Sequence, residues 1–64
     1  MREVPRRLEA FERSDSFVEE ITFASEHVAR ASAREFRREI RARHLDYSVT
    51  RRGAHVFLRD HAYW

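Results

Sequence analysis

The chain has no cysteine and no lysine, and only one glycine, one proline and one methionine among its 64 residues. Without cysteine there is no disulfide staple and no thiolate metal site, which fits a reducing compartment. With Gly53 alone, no glycine-rich loop can cradle a phosphate. No apolar run approaches the roughly 20 residues a membrane helix needs. Residues 1–7 lead into no apolar stretch of signal-peptide type. These absences predict a cytoplasmic protein with no membrane partner.

All thirteen fixed cations are arginine. GC-rich coding is a sufficient cause of that bias, but the chemistry differs from lysine regardless. Arginine offers a planar five-donor fork that fits phosphate and carboxylate and stacks on rings. The charge is unevenly spread. Residues 1–29 hold four arginines against seven acids, a net of −3, and residues 30–64 hold nine against four, a net of +5. The asymmetry points to a polyanion partner for the second half, to an intramolecular match between halves, or to head-to-tail self-association. A chain this short buries only about 60% of its unfolded surface. A homodimer that completes the burial is therefore an option.

The pattern predicts one small α+β domain over 1–64, in the order α-β-α-β-β. Residues 1–15 read as a short helix or lightly docked arm. Arg6 to Arg13 are good helix formers, and Leu8 and Phe11 are the docking residues. For Phe17 to Phe23 a strand is favoured, because Phe17, Glu19, Ile21 and Phe23 alternate with Val18, Glu20 and Thr22 and the run is rich in β-branched and aromatic residues. The competing helix rests on a capping box from Ser16 to Glu19, and would make the chain resemble a small winged helix. Ser25 to Leu45 is the clearest helix. Val28, Ala29, Ser32, Ala33, Phe36, Ile40 and His44 recur at spacings of three and four, and Ser25 is a fair N-cap. Ser32 with Glu35 offers a second start or a kink. Glu26 with Arg30 and Glu39 with Arg43 stand in the favourable acid-first order.

Residues 46–59 read as a β-hairpin with its turn at Arg51-Arg52-Gly53. A bulged turn there would put Tyr47, Val49, His55 and Phe57 on one face. A tight two-residue turn would instead group Tyr47, Val49, Ala54, Val56 and Leu58. The sequence leaves both registers open. His61 to Trp64 form a tail whose aromatics would cover a core edge or a partner.

Three function classes follow. In the first, Arg30, Arg34, Arg37, Arg38 and Arg41 of the helix, with Arg51 and Arg52 of the turn, contact the phosphates of RNA or DNA, while Tyr47 or Phe57 stacks on bases. In the second, a phage-type accessory or inhibitor protein meets a host protein through its charged halves and through Tyr63 and Trp64. The third concerns His55. The run Arg51-Arg52-Gly53-Ala54-His55 resembles the Arg-x-Gly-Ser-His segment of HicA-type mRNA interferases, whose fold is similar to a double-stranded-RNA-binding domain. The likeness covers about residues 32–59, with Ala54 standing where the family has serine or threonine. It implies a catalytic His55 acting as general acid or base near a 2′-hydroxyl, with Arg51 and Arg52 steadying the phosphate. Nucleic-acid binding without catalysis is the leading expectation. No two histidines are spaced three to five residues apart, so neither a metal nor a cofactor is expected.

Overall fold

The computed structural model describes residues 3–14 and 16–61. The expected tail aromatics Tyr63 and Trp64, and Asp15 in the first break, lie outside them. The architecture is α+β with two helices and three strands: α1 (Glu3–Arg13), β1 (Val18–Thr22), α2 (Glu26–Ala42), β2 (Tyr47–Arg52) and β3 (His55–Asp60).

Helix α1 falls within the expected residues 1–15. Pro5 sits in its first turn, where its missing N–H would have no partner in any case. Val4, Leu8 and Phe11 are spaced to fall on one face, and all three are buried. Arg7 pairs with Glu3 at 2.7 Å one turn back. The helix stops at Ser14, whose hydroxyl donates to the Phe11 carbonyl at 2.8 Å and competes with a further turn.

Residues 18–22 form a strand. Ile21 is buried against the core and Phe23 packs beside it. Alternation across a pleat, and not a capping box at Ser16, decides this segment. Arg7 reaches over the Phe23 ring at 5.9 Å from the centroid, which ties α1 to the end of β1.

Helix α2 starts at its expected cap, with the Ser25 hydroxyl accepting from the Val28 N–H at 3.2 Å. It runs through Ser32 unbroken, so the alternative start there is not used. Ala29, Ala33, Phe36 and Ile40 are buried as expected, but Val28 and His44 are exposed. The helix ends at Ala42, short of the expected Leu45. His44 takes a left-handed conformation, with φ of 57°. Its N–H donates to the Arg41 carbonyl and the Leu45 N–H to the Ile40 carbonyl. Those two bonds make a Schellman stop, closed by Leu45 packing on the core.

The sheet order is β1-β3-β2, with both neighbours antiparallel to β3. Strands β1 and β2 therefore run parallel on either side of β3, and α2 connects them as a split β-α-β unit. Buried residues of α1 and α2 meet Ile21, Val49, Val56 and Leu58 in one cluster. Both helices thus cover the same face of the sheet, and among the described residues no element covers the other, the open face.

The hairpin turn is not at Arg51-Arg52-Gly53. Arg52 pairs with His55, leaving only Gly53 and Ala54 in the loop. Of the two loop residues only Gly53 has positive φ, at 60°, the pattern of a type II′ turn with glycine at its first loop position. That turn matches the right-handed twist of the strands. It selects the tight register: Val49 faces Leu58, and Val56 and Leu58 point into the core. Arg51 and Arg52 belong to the strand and so point to opposite faces.

Candidate nucleic-acid interface

The nine expected contact residues and His55 fall on three surfaces. The first is a flank of α2. At about 100° per residue, Arg30, Arg34, Arg37, Arg38 and Arg41 form a stripe displaced from the buried face toward strand β2. Arg34, Arg37, Arg38 and Arg41 line one shallow depression, and no carboxylate lines it. Arg37 reaches across to the sheet edge, donating to the Val49 carbonyl at 3.2 Å. That contact occupies an outward-facing carbonyl of an edge strand, a group otherwise open to pairing with another chain. Arg37 and Arg41 also line a groove with Ile40, Tyr47, Ser48 and Val49.

The acids of α2 divide between the two ends of the helix and its far flank. Glu39 pairs with Arg43 at 3.2 Å, and Arg43 reaches Glu12 of α1 at 3.8 Å, on the opposite flank. Glu26, at the first turn of α2, takes both Arg30 and Arg51 at 3.3 Å. The N-terminal end of the stripe is therefore neutralised. Among the described residues, Arg34, Arg38 and Arg41 have no carboxylate within ion-pair distance. Arg51 also donates to the Gly53 carbonyl at 3.0 Å, bracing the turn from the helix-covered side.

The second surface is the inside of the molecule. Tyr47 is half-buried and meets Phe11 edge to face, with ring centroids 5.2 Å apart and planes at 77°. Its ring completes the core beneath α1, whereas Phe57 points to the opposite side of the sheet. The two aromatics thus differ in what they can reach.

The third surface is the open face. The register lays it out as three cross-strand rows: Val18, Arg59 and Ser48; Glu20, Phe57 and Thr50; Thr22, His55 and Arg52. His55 Nδ1 lies 3.0 Å from Glu20 Oε2 and 3.1 Å from Thr22 Oγ1. A carboxylate only accepts, so in the neutral ring Nδ1 carries the hydrogen and Nε2 is the free acceptor. On the other side of Phe57, a depression is lined by Val18, Ser48, Thr50, Arg52, Phe57 and Arg59.

Glu20, Thr22, Ser48, Thr50 and Arg59 were not expected at a site. The signal that finds them is the strand period: once Phe57 faces outward, Arg59 two residues on must share its face. Among the described residues no three acidic or histidine side chains gather as a metal set. No described helix is long and apolar enough to cross a membrane. No family model, curated protein or solved structure matches the chain.

Proposed function

We propose that the protein is a small nucleic-acid-binding module that grips phosphate through the arginine flank of α2. The observation that carries this reading is the depression lined by Arg34, Arg37, Arg38 and Arg41 with no acid in its wall. An acid partner would have been simple to supply, since Glu35 and Glu39 lie on the same helix. Guanidinium forks clustered without carboxylates favour a multiply charged anion over a single carboxylate. The elongated stripe suits the regular spacing of a backbone. Arg51, held by Glu26, is a bracing residue in this reading and not a contact.

Salt dependence tests it. With four phosphates engaged, the logarithm of the observed affinity should fall with the logarithm of salt at a slope of about −3 to −4. Replacing Arg34, Arg38 and Arg41 together with glutamine should flatten that slope, because each lost contact releases fewer counterions. A wild-type slope near zero would sink the reading.

A second reading is a HicA-like ribonuclease using His55. What favours it is the His55–Glu20 contact at 3.0 Å, which orients the ring and leaves Nε2 for proton transfer. In this reading Arg52, paired across from His55, steadies the phosphate. Cleavage of an RNA substrate at wild-type rate by His55→Ala would remove it.

A further inference from the structure

We infer that the open face of the sheet is a stacking platform for unpaired bases, with Phe57 as its floor and Arg52 and Arg59 at its two ends. The polymer gripped by α2 is then single-stranded. The inference rests on the phosphate-binding reading for the grip and adds the class of polymer.

Phe57, half-buried at the centre of the other sheet face, is not part of the core cluster. The core is complete on the other side, where Val56 and Leu58, the strand neighbours of Phe57, are fully buried. The depression over Phe57 measures about 300 Å³, the lower end of the range for ligand pockets. Room of that size takes a flat ring and its attachments. Its wall combines the apolar Val18 and Phe57 with the hydroxyls of Ser48 and Thr50 and two guanidinium groups, and it contains no carboxylate. That charge is complementary to a phosphate strand, and the ring is complementary to the face of any base. Guanidinium planes can also stack on the next base along.

Topology joins the platform to the grip. Strand β2 is an edge strand, and Phe57 sits opposite Thr50, one strand inward. Neighbouring strands lie about 4.8 Å apart. Arg37 rests on the outer edge of the same strand, at Val49. A chain crossing that edge would pass from the arginine flank to the face that carries Phe57. On the far side Glu20 pairs with Phe57 in the register and repels phosphate, which confines the strand to the β2 side. A duplex cannot stack on Phe57, since its bases are already stacked inside the helix.

Fluorescence anisotropy with oligouridylate, oligothymidylate and a blunt duplex tests the inference. Wild type should bind both single strands more tightly than the duplex. Phe57→Leu keeps an apolar side chain of similar bulk but removes the ring. It should weaken single-strand binding about 5- to 150-fold, the loss of one stacked base, and leave duplex binding unchanged. Phe57→Tyr should retain affinity, and circular dichroism should find both variants folded. Wild-type single-strand affinity in Phe57→Leu overturns the inference, as does a wild-type preference for duplex. The triple glutamine variant at Arg34, Arg38 and Arg41 separates the two proposals. If it binds like wild type while Phe57→Leu does not, the platform stands and the helix grip falls. If it alone loses affinity, the grip stands and the platform falls. A wild type that holds no strand overturns both, the outcome expected of a face that takes a protein.

Discussion

The two faces of this three-stranded sheet are built from alternate residues of the same strands, yet they obey different rules. The helix-covered face presents Ile21, Val49, Val56 and Leu58, all buried. The open face presents Glu20, Thr22, His55, Phe57, Arg52 and Arg59, a mixture of acid, hydroxyl, imidazole, ring and guanidinium. One face is selected for volume and apolarity. The other is free of that demand and carries nearly every kind of polar chemistry the chain owns. The lesson is that a sheet face which no described helix covers is released from the demand for apolar packing.

The sharpest way to break the comparison is to apply the same truncation to adjacent residues of β3. Leu58→Ala removes a fully buried side chain and should cost about 2–5 kcal/mol. Single-core domains of this size hold only about 3–5 kcal/mol in total, so the variant should be largely unfolded at room temperature. Phe57→Ala removes a larger side chain from the open face and should cost about 1 kcal/mol, the scale of cross-strand pair effects. Urea denaturation followed by circular dichroism measures both. Equal losses for the two variants would mean that the faces are not distinct.

Much of this division is legible in the sequence, and the part that is not has a specific cause. The period of α2 marks Ala29, Ala33, Phe36 and Ile40, and all are buried. The alternation around Ile21 marks β1 against the helical alternative, because a strand buries Ile21 and Phe23 together where a helix would separate them. The hairpin strands are visible too, but their faces are not. Tyr47, Val49, His55 and Phe57 form as plausible an apolar face as Tyr47, Val49, Val56 and Leu58, and only the loop length chooses between them. That choice rests on one residue, Gly53, and on whether it opens or closes the turn. The same uncertainty hid the split between Arg51 and Arg52, neighbours in sequence that the pleat sends to opposite sides. The flank taken by the arginines of α2 was hidden for another reason. A helical wheel separates buried from exposed positions but does not say which neighbour lies beside each flank.

The turn therefore gives the second prediction, aimed at the device that assigns the faces. A Cβ added at Gly53 would meet nothing within 4 Å. Any cost of Gly53→Ala comes from the backbone alone, at φ of 60°. That cost should be about 1–2 kcal/mol. Because Arg51 is bonded to the Gly53 carbonyl and to Glu26, the register should hold despite the strain. Backbone hydrogen exchange is the check: amides of β2 and β3 should exchange faster in the variant with the pairing of Arg52 and His55 intact. A shift of that pairing by one residue, seen as changed cross-strand nuclear Overhauser contacts, would show that the glycine fixes the faces by itself.

The smallest effect lies in the helix layer and sharpens the comparison by leaving the open face untouched. His44 holds the left-handed position that ends α2, where a side chain costs about 1–2 kcal/mol and glycine costs nothing sterically. Glycine also loses about 0.5–1 kcal/mol more conformational freedom on folding. The difference, between roughly 0 and 1.5 kcal/mol, leaves His44→Gly more stable than wild type by about 0.7 kcal/mol at its centre. The two Schellman bonds involve backbone only, from His44 to Arg41 and from Leu45 to Ile40, so the substitution preserves them. The thermal midpoint should rise by several degrees, given about 4–8 °C per kcal/mol for a domain of this size. Affinity for oligouridylate should not change, because His44 lies on neither the arginine flank nor the open face. A stabilised variant with altered strand binding would place the end of α2 inside the interface, and the two faces would then no longer divide structure from contact.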